Sequence, residues 1–200
     1  MFTKYLVFLK QTRVVSSALL IGGVFLFLCV VIPLHLVQTN YNPRYQLMSE
    51  LALGTRGEWM LLAFIGLSCA AFGTQCLLWQ QQTSIFLRLI FGSVALCFLG
   101  SGIFPLGESD VIHIILIAMA FIGSVLGILL FPTQAGKTAA LMPPQISLLL
   151  AIGITLSVFL GHTVLDIGIA QRLAASCLLL WFVILGWKNL KNATKKDRKD

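Results

Sequence analysis

Imidazole and carboxylate side chains occur close together twice in this otherwise apolar chain. Asp110 precedes His113 by three residues, and Asp166 follows His162 by four, so each pair shares a face of any helix that continues through it. Such groups at one membrane depth can bind a divalent metal, relay protons or act as general acid and base. The complete set of candidate pocket residues is Ser49, Glu50, Asp110, His113, His162, Asp166 and Arg172.

Three interpretations of this set stay open. The polar groups cap helix ends and meet lipid headgroups, or they form a metal or catalytic site, or they bind a polar ligand or lipid headgroup. A divalent metal would use His113 and His162 with one carboxylate, for which Asp166 is the candidate, and would leave a position open for water. Arg172 is expected to pair with Glu50 or Asp166, because an unpaired charge at membrane depth is costly.

The composition of the chain excludes an ordinary soluble domain. Of its 200 residues 58% are hydrophobic and only 10% are charged, whereas about a quarter of the residues in a soluble domain carry charge. The longest polar stretches, 38–57 and 188–200, are too short to bury a core of their own.

All five cysteines lie in apolar runs, so no disulfide framework is expected. Neither a phosphate-binding loop, nor a nucleophile elbow, nor an H-E-x-x-H zinc motif occurs.

The elements that must position the candidate residues are membrane helices. A helix crosses the hydrocarbon with about 20 apolar residues, and five segments are readily cut to that length. The apolar run from 146 to 187 is twice as long and has polar residues at its middle, which predicts a helical hairpin with its turn near 162–168. The sequence thus predicts an all-α bundle of six spans that forms a single domain. The predicted spans are 14–37, 59–79, 85–104, 111–131, 146–161 and 169–187.

Basic residues are distributed unequally between the two ends of this bundle. Of the 14 lysines and arginines, eleven lie on the side of the termini and three, Arg44, Arg56 and Arg172, lie on the other. This bias predicts that both termini are cytoplasmic and that the protein is a multi-pass protein of the cell (inner or plasma) membrane. All three histidines then lie at extracytoplasmic ends of spans. The basic tail 188–200 is expected to contact anionic lipids, and nucleic acid is not an expected partner.

Small residues indicate where helices can approach closely. Gly123 and Gly127 form a G-x-x-x-G pair in the fourth span, and Gly153, Ser157 and Gly161 form a stripe in the fifth. Direct packing of these two faces is one arrangement that they permit. The pattern fits packing within one chain and packing between chains equally, so the oligomeric state stays open.

Several short motifs resemble one family of membrane proteins. Tyr41-Asn42-Pro43 is followed by Ser49-Glu50-Leu51, then by Gly102-Ile103-Phe104-Pro105 with His113 after it, and then by Gly168 and Arg172, which open the last span. This series resembles the bacterial and archaeal proteins grouped as domain of unknown function 998, and the likeness covers nearly the whole chain. Members often carry an acidic residue soon after Phe-Pro, a part for which Glu108 and Asp110 are alternatives here. The resemblance implies a compact bundle of about six helices in a prokaryotic membrane, and no established activity.

A looser likeness is to multi-spanning membrane hydrolases that hold zinc with three histidines and an aspartate beside a serine. His35, His113, His162, Asp110 or Asp166, and Ser49 are the residues that would take those parts. The favoured function is the binding or movement of a small molecule or lipid headgroup at an extracytoplasmic pocket. The alternatives are a membrane-embedded hydrolase, with or without a divalent metal, that acts on a lipid or envelope substrate, and a non-catalytic accessory protein.

Overall fold

The described part of the chain folds into six α-helices. The computed structural model describes the backbone of residues 2–81, 83–161 and 163–195 and, within these, the side chains from residue 12 to residue 194. The helices are α1 (Phe2–Val37), α2 (Met60–Gln80), α3 (Ile85–Ile103), α4 (Asp110–Gln134), α5 (Pro144–Leu160) and α6 (Ile167–Lys195). Short 3₁₀ helices occupy Met48–Leu53, Gly57–Trp59 and Gly136–Leu141.

Five of these helices are long and apolar enough to cross a membrane. An α-helix satisfies its backbone hydrogen bonds within one segment. This is necessary in a membrane, because lipid offers no partners for backbone N–H and C=O groups. The chain is therefore an all-α, multi-span membrane protein. Helix α5 has 17 residues, or about 25 Å at 1.5 Å per residue, which is shorter than the hydrocarbon core of roughly 30 Å. The sixth crossing and the orientation stay predictions.

The helix bounds differ from the predicted segments mainly near the termini. The hairpin expected between 146 and 187 is present, since α5 ends at Leu160 and α6 begins at Ile167. Helix α1 begins at Phe2, well before residue 14, and α6 continues to Lys195. The first part of the predicted tail 188–200 is therefore helical, because no proline or glycine stops the helix there. Residues 196–200 lie outside the described part of the chain.

The helices form a closed antiparallel ring. Each helix packs against its neighbours in the chain, and α6 packs back against α1, while α4 and α5 share the least extensive of these contacts. Near one end of the ring the Asn189 amide donates to Arg13 O at 3.0 Å and to Ser17 Oγ at 2.9 Å. The opposite end carries segment 38–59, the ends of α1, α3 and α5 and the starts of α2, α4 and α6, and is called the loop face below.

Glycines mark close contacts between the helices. A Cβ on Gly23 of α1 would lie 2.4 Å from Gly66 O of α2, so these backbones touch. Gly127 of α4 faces Phe91 of α3, and Gly153 of α5 faces Cys177 of α6. Direct packing of the fourth span's glycines on the fifth span, one arrangement that the sequence permitted, is therefore not the one adopted within this chain. Each small-residue face receives a larger side chain from another neighbour in the ring.

Candidate functional site

Arg172 ties the start of α6 to segment 38–59. Its Nη1 donates to Gln46 O at 3.1 Å and to Gly168 O at 2.8 Å, and its Nη2 donates to His35 Nε2 at 2.8 Å and to the Tyr41 hydroxyl. Because a guanidinium can only donate, His35 must accept through Nε2. The Nδ1 atom of His35 then carries the proton that faces Val31 O at 2.6 Å. We call this set of contacts the Arg172 clamp.

Tyr41 extends the clamp along segment 38–59. Its hydroxyl accepts from Arg172 and donates to Leu47 O at 2.8 Å. Burial raises the pKa of the Tyr41 phenol, against the opposing effect of the Arg172 charge, so the hydroxyl keeps the proton that it donates. The guanidinium also lies over the Tyr41 ring, 5.6 Å from its centroid. Two stretches far apart in sequence, residues 35–47 and 168–172, thus meet at one cation.

The prediction that Arg172 pairs with Glu50 or Asp166 is wrong. Among the described residues its hydrogen bonds go to two backbone carbonyls, an imidazole and a phenol. Asp166 instead pairs with Arg44 near the surface, and that ion pair raises the pKa of the Arg44 guanidinium. Glu50 accepts from Leu47 N at 2.8 Å. The neutral acceptors solvate the cation, and the carboxylates are used elsewhere.

Gly168 lets the same loop approach α6 closely. A Cβ at this position would lie 2.4 Å from Pro43 O, 2.6 Å from Gln46 O and 2.7 Å from Arg44 O. Real Cβ atoms essentially never come that near to a carbonyl oxygen. Gln171 adds a further contact, because its Oε1 accepts from Met48 N at 2.6 Å. Segment 38–59 is therefore fixed over the start of α6 by the close approach at Gly168 and by side-chain contacts to the loop backbone.

Beneath this loop, a cavity of about 270 Å³ lies between α4 and the α5–α6 pair. We call it the lateral cavity. Among the described residues that line it, Ser49, His113 and Gln171 are polar and the others are apolar. Two apolar lining residues on opposite walls, Ile114 of α4 and Val158 of α5, are 58% and 47% exposed. The mouth of the cavity is thus on the outer surface of the ring, which the bilayer covers.

His113 is held rigidly in the cavity wall. The ring is only 2% exposed and lies edge to face with Phe64 at 5.5 Å between centroids. Its Nδ1 is 2.9 Å from Ser101 O and 3.0 Å from Phe104 O, both at the end of α3. Since both neighbours are acceptors, Nδ1 carries a proton, and in the neutral ring Nε2 is an acceptor. Nε2 is buried and has no hydrogen-bond partner within the described part of the chain.

A second, smaller space adjoins the lateral cavity toward the centre of the bundle. It has a volume of about 30 Å³, room for about one water molecule. The two spaces share Ser49, Ile117, Phe121 and Gln171 in their linings. Ser49 is 5% exposed, and its Oγ makes no hydrogen bond to any residue that the structure describes. The polar end of the lateral cavity therefore lies directly under residues 47–49.

The model of the family described as protein of unknown function (DUF998) matches residues 20–188. The chain belongs to this family. The match includes segment 38–59, the Arg172 clamp and every residue that lines the lateral cavity. No curated protein and no solved structure matches the chain.

In this family member the described candidate residues are divided among several places. Ser49 and His113 line the lateral cavity, Arg172 forms the clamp, and Asp166 pairs with Arg44. The remaining two acids cap helix starts: Glu50 accepts from Leu47 N, and Asp110 accepts from Gly107 N at 2.6 Å. His162 lies outside the described residues. The structure thus brings two of the candidates together in one cavity.

The metal hypothesis depends on a residue that the structure does not describe. Within residues 2–81, 83–161 and 163–195, no three His, Cys, Asp or Glu side chains are grouped to hold a metal ion. Asp166, one of the three predicted ligands, is engaged by Arg44. The shared site of His113 and His162 stays a prediction.

Sequence reasoning missed Gln171 and Tyr41 and gave His35 little weight. Gln171 is a polar residue beside Arg172 near the start of an apolar span. That position could have marked it as a candidate pocket residue. Tyr41 opens the Tyr-Asn-Pro motif that carried the family resemblance. His35 entered only as one residue of the looser likeness to zinc hydrolases, and it accepts a hydrogen bond from Arg172.

Proposed function

We propose that this protein binds the apolar part of an amphiphile in the lateral cavity, with the polar group of the amphiphile at Ser49, His113 and Gln171. One observation carries the proposal: an otherwise apolar cavity with its mouth on the bilayer side has the polar residues Ser49, His113 and Gln171 in its lining. An amphiphile has the matching combination of an apolar chain and a polar end.

The size and lining of the cavity support this function. Its volume of about 270 Å³ is just below the roughly 300–1,000 Å³ that is typical of small-molecule sites. It therefore suits part of a molecule that enters from the bilayer.

We further propose that the protein spans the cell membrane six times with both termini in the cytoplasm. The lateral cavity then opens into the extracytoplasmic half of the bilayer.

Photo-crosslinking with a filled-cavity variant tests the proposal. A long-chain fatty alcohol with a diazirine in its chain is incorporated into nanodiscs with the full-length protein. We expect saturable labelling of residues 113–121 and 167–174. Ala118→Phe, which adds a ring to an exposed lining residue of α4, is expected to lower this labelling several-fold. Ala18→Phe adds the same ring at an exposed position of α1 outside the cavity and is the matched control. Labelling that never saturates, or that both variants reduce equally, would rule out the proposed site.

A lipid hydrolase is the second candidate, and one observation favours it. Ser49 and His113 line the same cavity, and the fixed Nδ1 proton leaves Nε2 as the only basic nitrogen of His113. Ser49 Oγ and His113 Nε2 are not hydrogen-bonded to each other, although such contacts often form only with substrate bound. A serine-reactive fluorophosphonate distinguishes this function. Labelling that Ser49→Ala and His113→Asn both abolish supports it, and its absence at saturating reagent counts against it.

A further inference from the structure

The outer side of the seam between α2 and α3 carries polar groups near the end of the ring opposite the loop face. We infer that this seam binds one anionic glycerophospholipid, with the phosphate at Arg88 and an ester carbonyl at Gln75. The lateral cavity is formed by other helices, so the inference goes beyond the proposed function and stands without it. Trp79 and Gly92 hold the two polar side chains in place.

Arg88 presents unused donors in the first turns of α3. Its guanidinium lies over the indole of Trp79, with 4.8 Å between Cζ and the ring centroid. It makes no hydrogen bond to a described residue; its Nε is fully buried, whereas both Nη groups keep accessible surface. Trp79 is 66% exposed, so the stacked pair lies at the outer surface of the ring. A guanidinium held in this way offers a planar pair of N–H donors that suits a phosphate.

The protein supplies no counterion for Arg88 among the residues that the structure describes. The described acidic residues all belong to the loop face: Glu50, Glu58, Glu108, Asp110 and Asp166. Tryptophan favours the headgroup level of a bilayer, where lipid phosphate is the abundant anion. A lipid of net negative charge fits better than a zwitterionic one, because no described carboxylate at this end can receive an ammonium group.

Gln75 lies one helical turn further into the membrane on the same seam. It precedes Trp79 by four residues on α2, and Gly92 follows Arg88 by four on α3, about 6 Å along each helix. The Gln75 amide rests on Gly92, where a Cβ would lie 2.5 Å from Gln75 Nε2. The amide makes no hydrogen bond to a described residue, and its polar atoms keep accessible surface. At this depth the amide needs a partner, because an unsatisfied polar group is costly in hydrocarbon.

The order of these groups matches a glycerophospholipid. The phosphate of such a lipid lies nearer the aqueous surface and its ester carbonyls lie nearer the hydrocarbon, in the same order as Arg88 and Gln75. Further in, the outer surface beside the seam is apolar, with Phe72 of α2 and Leu96 of α3 exposed. An acyl chain can therefore follow the seam. Water can hydrate each polar group singly, but it supplies neither a charge for Arg88 nor an apolar contact.

Photo-crosslinking in nanodiscs tests the lipid and its position on the unaltered, full-length protein. A phosphatidylglycerol with a diazirine near the ester end of one acyl chain is added in trace amount to phosphatidylcholine nanodiscs. We expect labelling of residues 72–79 and 85–96 and a preference of about tenfold for phosphatidylglycerol, the effect of one charge-assisted hydrogen bond. Unlabelled phosphatidylglycerol should then halve the labelling at a mole fraction of about one tenth. Labelling that it does not reduce overturns the inference, and equal displacement by soluble glycerol phosphate overturns the assignment to a lipid.

A matched pair of variants assigns the phosphate to Arg88. Arg88→Gln keeps a polar side chain and loses the charge, so we expect the preference for phosphatidylglycerol to disappear. Lys137→Gln removes the same charge from an exposed residue at the same end of the ring and is expected to leave the preference unchanged. If both variants lose it equally, the general charge of this end attracts the lipid and the Arg88 site is overturned.

A lipid analogue tests the contact of Gln75. Diether phosphatidylglycerol has no ester carbonyl, and we expect it to compete about three- to tenfold less well than the diester, the effect of one neutral hydrogen bond. Gln75→Leu is expected to abolish this difference. Equal competition by the two lipids on the unaltered protein overturns the Gln75 contact. Both lipid series use the unaltered protein, so they decide the inference even if a variant fails to fold.

Discussion

Arg172 illustrates how a cation is held at the end of a membrane helix without a carboxylate. Its guanidinium donates to carbonyl oxygens of the loop and of its own helix, to an imidazole and to a phenol. The planar fork of donors in arginine allows this division among several acceptors, which the compact ammonium of lysine cannot reproduce. His35 takes part only as a neutral ring, because a protonated Nε2 would face the guanidinium as a second donor.

The clamp predicts that Arg172→Lys weakens the attachment of segment 38–59. We expect the free energy of unfolding to fall by about 1–3 kcal/mol, since several acceptors lose their donor. Trypsin is expected to cleave within segment 38–59 faster than in the unaltered protein. Both quantities are measured on detergent-purified protein by thermal unfolding and limited proteolysis. Arg56→Lys makes the same change at an exposed position of the same segment and is the control. If the two variants behave alike, Arg172 does not act as a clamp.

The pairing of α1 with α2 depends on a close backbone crossing. Gly23 and Gly66 lie opposite each other, and a Cβ on Gly66 would be 2.5 Å from Gly23 O. In lipid there is no hydrophobic drive between helices, so close packing of this kind supplies much of the association. Gly22 precedes Gly23 in the same helix, and a Cβ there would meet nothing within 4 Å.

Substitutions of Gly23 and of its neighbour Gly22 give a matched pair of variants. Gly23→Ala puts a methyl group 2.4 Å from Gly66 O and 2.8 Å from Ala70 N, both backbone atoms that cannot rotate away. We expect a loss of about 1–3 kcal/mol, the usual cost of overpacking. Gly22→Ala is expected to be neutral or to stabilise by up to about 1 kcal/mol, because alanine favours helix. Thermal unfolding in detergent compares them, and a Gly23→Ala protein as stable as Gly22→Ala would contradict the crossing.

The predicted orientation of the bundle rests on the asymmetry of its basic residues. The sequence assigns eleven of the 14 lysines and arginines to the side of the termini, and such an excess favours the cytoplasmic side. Reporter fusions after Tyr45 and after Lys188 test this orientation. We expect an extracytoplasmic signal from the first fusion and a cytoplasmic signal from the second. An extracytoplasmic signal at Lys188 would reverse the orientation and would move the lateral cavity to the cytoplasmic half of the bilayer.

Hydropathy and composition were sufficient to predict the class of fold and the helices. Long apolar runs can satisfy their backbone in lipid only as helices, so the all-α multi-span architecture follows from length and hydrophobicity. The hairpin between α5 and α6 followed from the polar break near residue 162. The short motifs from Tyr41 to Arg172 were enough to predict the family, which the match over residues 20–188 confirms.

The partners of each polar residue required the three-dimensional arrangement. Arg172 binds carbonyl oxygens of Gln46 and Gly168, and any residue type presents a carbonyl, so the sequence carries no sign of them. The path of segment 38–59 decided that Asp166 meets Arg44 and that Ser49 lies under the loop beside the cavity. The glycines of α4 face α3 because the order of helices around the ring depends on side-chain shape at every contact. Local patterns determine which residues form helices, whereas a cavity is the space left between helices and exists only once they have packed.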